Sequence, residues 1–263
     1  MFAKFLYSVL LNVMLISTVL SARVLTESEL SLVLNDASRT DSDRQRDESR
    51  KPDKILKFSG VAKGQNILDI YAGGGWYTEL FSLAVGSDGH VYAHNDSLTW
   101  KFGGKEIEKR TENNRLKNVY RIDSVDIANI ALRENTIDIA FMGINYHDLY
   151  FVSRVVEGEK QIMREGIVDY KKAFSTIKNV LKDDGVLIII DHRALAGSGY
   201  QAANELHRID PEVVKYEMQD VGFILVEEAF YLANPNDDLT RSVFNPDIRW
   251  NTDRFIYKFK KKI

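Results

Sequence analysis

Between residues 66 and 259 short apolar runs alternate with amphipathic stretches, which is the pattern of a parallel sheet covered by helices. Residues 66–70, 90–94, 118–122 and 137–142 read as strands, and 186–190 is an almost wholly apolar fifth run. Residues 223–231 and 254–259 bring the expected total to seven. A helix is expected from Trp76 onward, directly after Gly73, Gly74 and Gly75. Another spans 167–181 with Phe174, Ile177 and Leu181 on one face. Asp210 followed by Pro211 is a cap-plus-proline helix start, and Val214, Met218 and Val221 then recur at helical spacing. Residues 149–166 and 233–253 show no period and are expected to form a rim.

Ahead of this region the texture is polar. Thr26, with Glu27 and Glu29 after it, opens a short helix, and the charge run at 41–50 reads as a solvated helix face. Pro52 suits the first turn of a helix that carries Ile55, Leu56 and Phe58 and stops at Gly60. The first 22 residues differ again: Lys4, an apolar run over 5–20, then the small residues Ser21 and Ala22. This reads as a signal peptide and implies export, in a bacterium to the periplasm, the alternative being an uncleaved N-terminal anchor helix. The expected organisation is a signal peptide at 1–22, a polar helical extension at 23–52 and one α/β domain at 53–263. Once the leader is removed, no membrane span is expected.

Composition narrows the chemistry. With no cysteine, disulfides, thiolate catalysis and sulfur-ligated zinc are excluded. A net charge of −3 supplies no field for a nucleic-acid backbone, so the expected partner is a small molecule.

In an open parallel sheet the ligand lies beyond the carboxyl ends of the strands. The segments there are 69–76, 95–96, 123–126, 145–148 and 191–199, and all are polar. The candidate catalytic groups are His147 and Asp148 after the fourth strand and His192 after the fifth, with Tyr146 and Asp191 beside them. An imidazole suits proton transfer near neutral pH. No short ligand spacing among His147, Asp148, His192 and His207 signals a metal, and none is expected. His90 and His94 fall within a strand, where structural roles are expected.

Residues 67–78 resemble motif I of class I methyltransferases, which has an acid at the end of the first strand followed by alternate glycines. Asp69 is the acid, Gly73 and Gly75 match the second and third glycines, and Tyr71 stands in place of the first. Asn95, with Asp96 next to it, occupies the place of the acid that holds the ribose hydroxyls in that family, and Asp126 that of the acid beside adenine. Asp138 matches the aspartate of the fourth strand, and 181–187 looks like the turn ahead of the fifth. The resemblance covers roughly residues 55–230. It implies a Rossmann-like, seven-stranded, mostly parallel sheet with helices on both faces. It also implies S-adenosyl-L-methionine held by Asp69, Tyr71, Gly73, Gly74, Gly75, Asn95, Asp96, Asp126 and Asn145, and methyl transfer to a small acceptor.

The strings at 46–52, 73–79, 191–194, 206–210, 234–235 and 253–255 are similar to those of a little-characterised bacterial group of exported methyltransferases. The alternative is an exported ligand-binding protein that keeps the fold without catalysis. A dinucleotide fingerprint starting at Gly73 would need glycine at 78, where Thr78 stands, and a Walker loop is absent.

Overall fold

The computed structural model describes residues 23–262, so the signal peptide expected at 1–22 lies outside the described residues. The strands are β1 (Asn66–Ile70), β2 (His90–Asn95), β3 (Val119–Asp123), β4 (Ile137–Gly143), β5 (Ser153–Val156), β6 (Glu159–Ile162), β7 (Leu181–His192), β8 (Phe223–Ala229) and β9 (Arg254–Lys261). The helices are α1 (Glu27–Leu34), α2 (Asp41–Gln45), α3 (Asp47–Arg50), α4 (Pro52–Ser59), α5 (Trp76–Val85), α6 (Ser97–Thr111), α7 (Tyr170–Val180), α8 (Gln201–Leu206) and α9 (Pro211–Val221). Among the described residues no helix is long and apolar enough to cross a membrane.

Seven strands form one sheet in the order β3-β2-β1-β4-β7-β9-β8, parallel except for β9, which runs antiparallel to both neighbours. Alternate side chains of the central strands feed two cores, as the two-residue period of a strand dictates. On one face Leu68, Ala140, Met142, Leu187 and Ile189 pack under Phe174 and Ile177 of α7 and Val214 and Met218 of α9. On the other, Ile67, Ile139, Phe141, Ile188 and Ile190 pack under Ile55 and Leu56 of α4 and Leu80 and Phe81 of α5. Burial on both faces is why β7 reads as a continuous apolar run. The register sets Ile70 opposite Met142 and Gly143 opposite Ile190, so the chain leaves β1, β4 and β7 side by side at one edge.

The local signals act as expected at several ends. Thr26 caps α1 in a reciprocal box with Glu29, Pro52 opens α4, and Gly60 ends it in the left-handed region at φ 75°. Asp210 caps α9 ahead of Pro211.

Two readings need correction. Residues 149–166 contain the antiparallel β5–β6 hairpin, turned at Glu157 (φ 53°) and Gly158 (φ 84°). Two successive positive-φ residues make the tight turn that matches strand twist, but Glu-Gly is a weaker signal than Asn-Gly. The charge run at 41–50 is only in part a solvated face. Asp43 is buried against Arg110 at 2.8 Å, and Arg39, also buried, is paired with Asp47 at 2.7 Å. Partners supplied by the rest of the fold make burial of these charges tolerable, and a charge count along one segment cannot reveal them.

Candidate functional site

A cavity of about 650 Å³ opens at the carboxyl ends of β1, β4 and β7. One end is main chain. Tyr71 leaves β1 with φ 55°, Gly73 has φ 56° and Gly75 has φ 80°. Tyr71 thus adopts the left-handed conformation that glycine takes at little cost, a strained choice for an aromatic residue. Its ring lies over His94 at 5.6 Å with 21° between planes, and its carbonyl accepts a hydrogen bond from Asn145 Nδ2 at 3.0 Å. Asn95 is fully buried: its Oδ1 accepts the Gly73 N–H at 2.8 Å and its Nδ2 donates to the Gly73 carbonyl at 3.1 Å. Arg110 Nε donates to the Gly74 carbonyl at 2.8 Å. From behind, Gly103 of α6 comes so close that a Cβ there would overlap the Gly73 backbone. The sequence reading missed this approach, which the glycine at 103, inside a helix, could have signalled.

Five of the nine residues expected at the cofactor therefore line the cavity: Asp69, Tyr71, Gly73, Gly74 and Asn145. Three others build the surroundings. Gly75 packs toward Ile107 and Arg110, Asn95 clamps Gly73, and Asp96 caps α6 through the Thr99 N–H at 2.8 Å while pairing with Arg164. The Asn95 amide is thus hydrogen-bonded on both sides to the Gly73 backbone. Asp126 is exposed at the start of a 3-10 turn and does not line the cavity.

Asp69 is buried, accepts the Thr78 hydroxyl at 2.6 Å, and is pushed up to about 7 by burial. Near it Arg50, unremarked in the sequence, enters the cavity at the end of α3. Its guanidinium lies 4.7 Å from the Trp76 ring centroid, and its buried Nε has no hydrogen-bond partner. No carboxylate pairs with it among the described residues.

The opposite end is built from side chains. His147 sits on a 3-10 turn (Tyr146–Leu149) just past Ile144, whose φ of 69° is strained for a β-branched residue. Asp191, fully buried at the end of β7, accepts the His147 N–H at 2.7 Å, His147 Nδ1 at 2.9 Å and the His192 N–H at 2.7 Å. This assigns the proton to Nδ1 and turns Nε2 toward the cavity. His147 Nε2 then lies 3.2 Å from His207 Nδ1 and 3.5 Å from Asp148 Oδ1.

Burial opposes the charge on His147, but the carboxylates of Asp191 and Asp148 outweigh it and raise the imidazole to about 9. Burial raises Asp148 to about 6, with His147 opposing. Burial and the neighbouring His147 hold His207 down to about 3. The proton therefore resides on His147, with His207 accepting. His192 lines the same cavity, its Nδ1 2.6 Å from Thr252 Oγ1, and burial keeps it well below the usual histidine range. Tyr146 turns away: it is buried and donates to Glu217 in the core.

His207, at the end of α8 with φ 54°, is held by its neighbour. Arg208 is fully buried, pairs with Asp237 at 2.9 Å and donates to the carbonyls of Arg193 and Arg241 at 2.9 and 2.8 Å. That ion pair ties the irregular 233–253 segment to His207, and Phe244 and Trp250 from this segment close the cavity. The expected rim is present, without helix or strand.

No protein-family model matches the sequence, and no curated protein matches it. Solved structures do. A SAM-dependent methyltransferase from Aquifex aeolicus is 22% identical with a TM-score of 0.55, covering 89% of this chain and 98% of that one. Geranyl diphosphate C-methyltransferase from Streptomyces coelicolor, solved with Mg2+, geranyl diphosphate and S-adenosyl-L-homocysteine, is 13% identical with a TM-score of 0.57, covering 91% and 90%. The fold is the Rossmann-like methyltransferase fold.

Proposed function

We propose that the protein is an S-adenosyl-L-methionine-dependent methyltransferase of a small acceptor. The observation that carries this reading is one cavity joining the glycine turn after β1 to the His147, Asp148 and His207 group after β4 and α8. The turn leaves room for the methionine end of the cofactor. Arg50, which pairs with no carboxylate among the described residues, suits its carboxylate, and Asp69 suits its ammonium. Methyl transfer is an in-line displacement: the acceptor's lone pair forms the bond to the methyl carbon and the carbon–sulfur pair leaves with sulfur. The proton that the acceptor loses passes to Asp148, whose raised pKa suits a base near neutral pH, while charged His147 holds that carboxylate in place.

Calorimetry of residues 23–263 with S-adenosyl-L-methionine and S-adenosylhomocysteine tests the reading. Binding of both is expected, and binding of neither by folded protein overturns it. A second reading, a non-catalytic binding protein, is favoured by the commitment of Asn95 to Gly73 and the position of Asp126 outside the cavity. Formation of any methylated product from a panel of small acceptors would exclude it. Export through residues 1–22 belongs to the same proposal: intact mass of envelope-fraction protein should show a mature chain lacking the leader, and a cytosolic chain starting at Met1 would refute it.

A further inference from the structure

We infer that His147 Nε2, His207 Nδ1 and a carboxylate oxygen of Asp148 form a binding site for a divalent transition-metal ion, open toward the cavity. The inference does not depend on methyl transfer. One ligand atom from each of the three residues lies within 4.8 Å of the others. The two edges at His147 Nε2, 3.2 Å to His207 and 3.5 Å to Asp148, bracket the spacing of about 3.3 Å that tetrahedral geometry gives for bonds of about 2.0–2.1 Å. A proton on Nε2 accounts for the contact with His207 but leaves Asp148 beyond hydrogen-bond length. A central cation serves all three.

The surroundings are those of a ligand set. His147 is oriented by donating Nδ1–H to a buried carboxylate, Asp191, which is the usual support behind a metal-bound imidazole. Among the described residues no group donates a hydrogen bond to the Asp148 carboxylate, which is 17% exposed, on the cavity side. His207 is anchored through the buried Arg208–Asp237 pair next to it. Two imidazoles and one carboxylate without sulfur suit zinc, iron, cobalt or manganese rather than a soft metal. Because the cavity borders the site, the remaining position would take an oxygen or nitrogen of the second ligand. With the ion bound, the metal rather than Asp148 would ionise that group.

The test uses the mature chain after chelator treatment, titrated with Zn2+ by calorimetry and with Co2+ by visible absorption. Binding of a single ion with the intense absorption of four-coordinate cobalt is expected. His207→Ala and Asp148→Ala should each weaken binding by at least about 100-fold, and Asp191→Asn by about 10–100-fold. His90→Ala, outside the cavity, should leave it unchanged. Far-UV circular dichroism separates loss of binding from loss of folding, and zinc should raise the melting temperature of the parent and not of the ligand variants. Folded parent protein that binds neither ion, or ligand variants that bind as well as the parent, overturns the inference. Calorimetry with S-adenosyl-L-methionine on the same samples keeps the two readings apart: cofactor without zinc sinks the metal site alone, and zinc without cofactor sinks the methyltransferase reading alone.

Discussion

The two ends of the cavity are built by opposite means. At the glycine turn the working surface is main chain, shaped by Tyr71, Gly73 and Gly74 and braced from outside by Asn95, Arg110 and the close approach of Gly103. At the other end the surface is side chains, and their charge states are set by burial among Asp191, Asp148 and two neighbouring imidazoles. A surface made of backbone tolerates changes that keep space open, whereas a buried polar group depends on every partner it has. Damage to the first end should therefore appear as lost affinity, and damage to the second as lost turnover with affinity kept.

Asp148→Asn should give the largest effect, lowering turnover by about 10²–10⁴-fold, the usual range for a lost general base, with cofactor affinity nearly unchanged. Steady-state kinetics beside calorimetry would show it; a parallel loss of affinity would erase the contrast between the ends. Gly103→Val strikes the turn from behind, without touching the cavity. Overpacking against Gly73 should cost about 1–3 kcal/mol of stability in denaturant unfolding and remove measurable cofactor binding. Unchanged binding would show that the turn can move.

Arg50→Met keeps an unbranched side chain of similar length against Trp76 and removes the charge. Cofactor affinity should fall about 10–100-fold, as for one lost charged hydrogen bond, with turnover at saturation retained.

The smallest effect concerns pH. Asp69 holds its proton more tightly in the fold, near 7, than an unfolded aspartate does, near about 4. Its contribution to stability is therefore whole below about pH 4 and is lost as pH rises through about 7. Thermal unfolding should show a shallower decline between these values in Asp69→Asn than in the parent. Equal slopes would mean that Asp69 is already ionised in the fold.

Much of the frame was legible in the sequence because its signals are local. Seven apolar runs gave seven strands of one sheet, and Thr26, Pro52 and Asp210 opened helices as their chemistry requires. The glycine turn was found through its resemblance to motif I of class I methyltransferases. What escaped was convergence between distant segments. His207 stands 60 positions from His147, so no ligand spacing announced their meeting. Asp43 looked solvated until Arg110, 67 positions on, proved to be its partner. The bracing of Gly73 by both sides of the Asn95 amide, 22 positions away, was likewise invisible in the sequence. Arg50 lay within a charge run whose members are indistinguishable without the Trp76 ring beneath one of them.

The antiparallel strand β9 sits between β7 and β8, although it follows both in the chain. On a growing chain β8 has no place in the sheet until β9 has emerged and paired with β7. Phe244 and Trp250, just ahead of β9, close the cavity, and Arg254 Nη2 donates to the Ser49 carbonyl at 2.7 Å, across 205 positions, within the helix that carries Arg50. Such non-local closure comes late and slowly in folding. A nascent chain would thus carry every earlier strand and still lack a finished sheet and a closed cavity, so ligand binding would begin only after nearly all of the polypeptide is free.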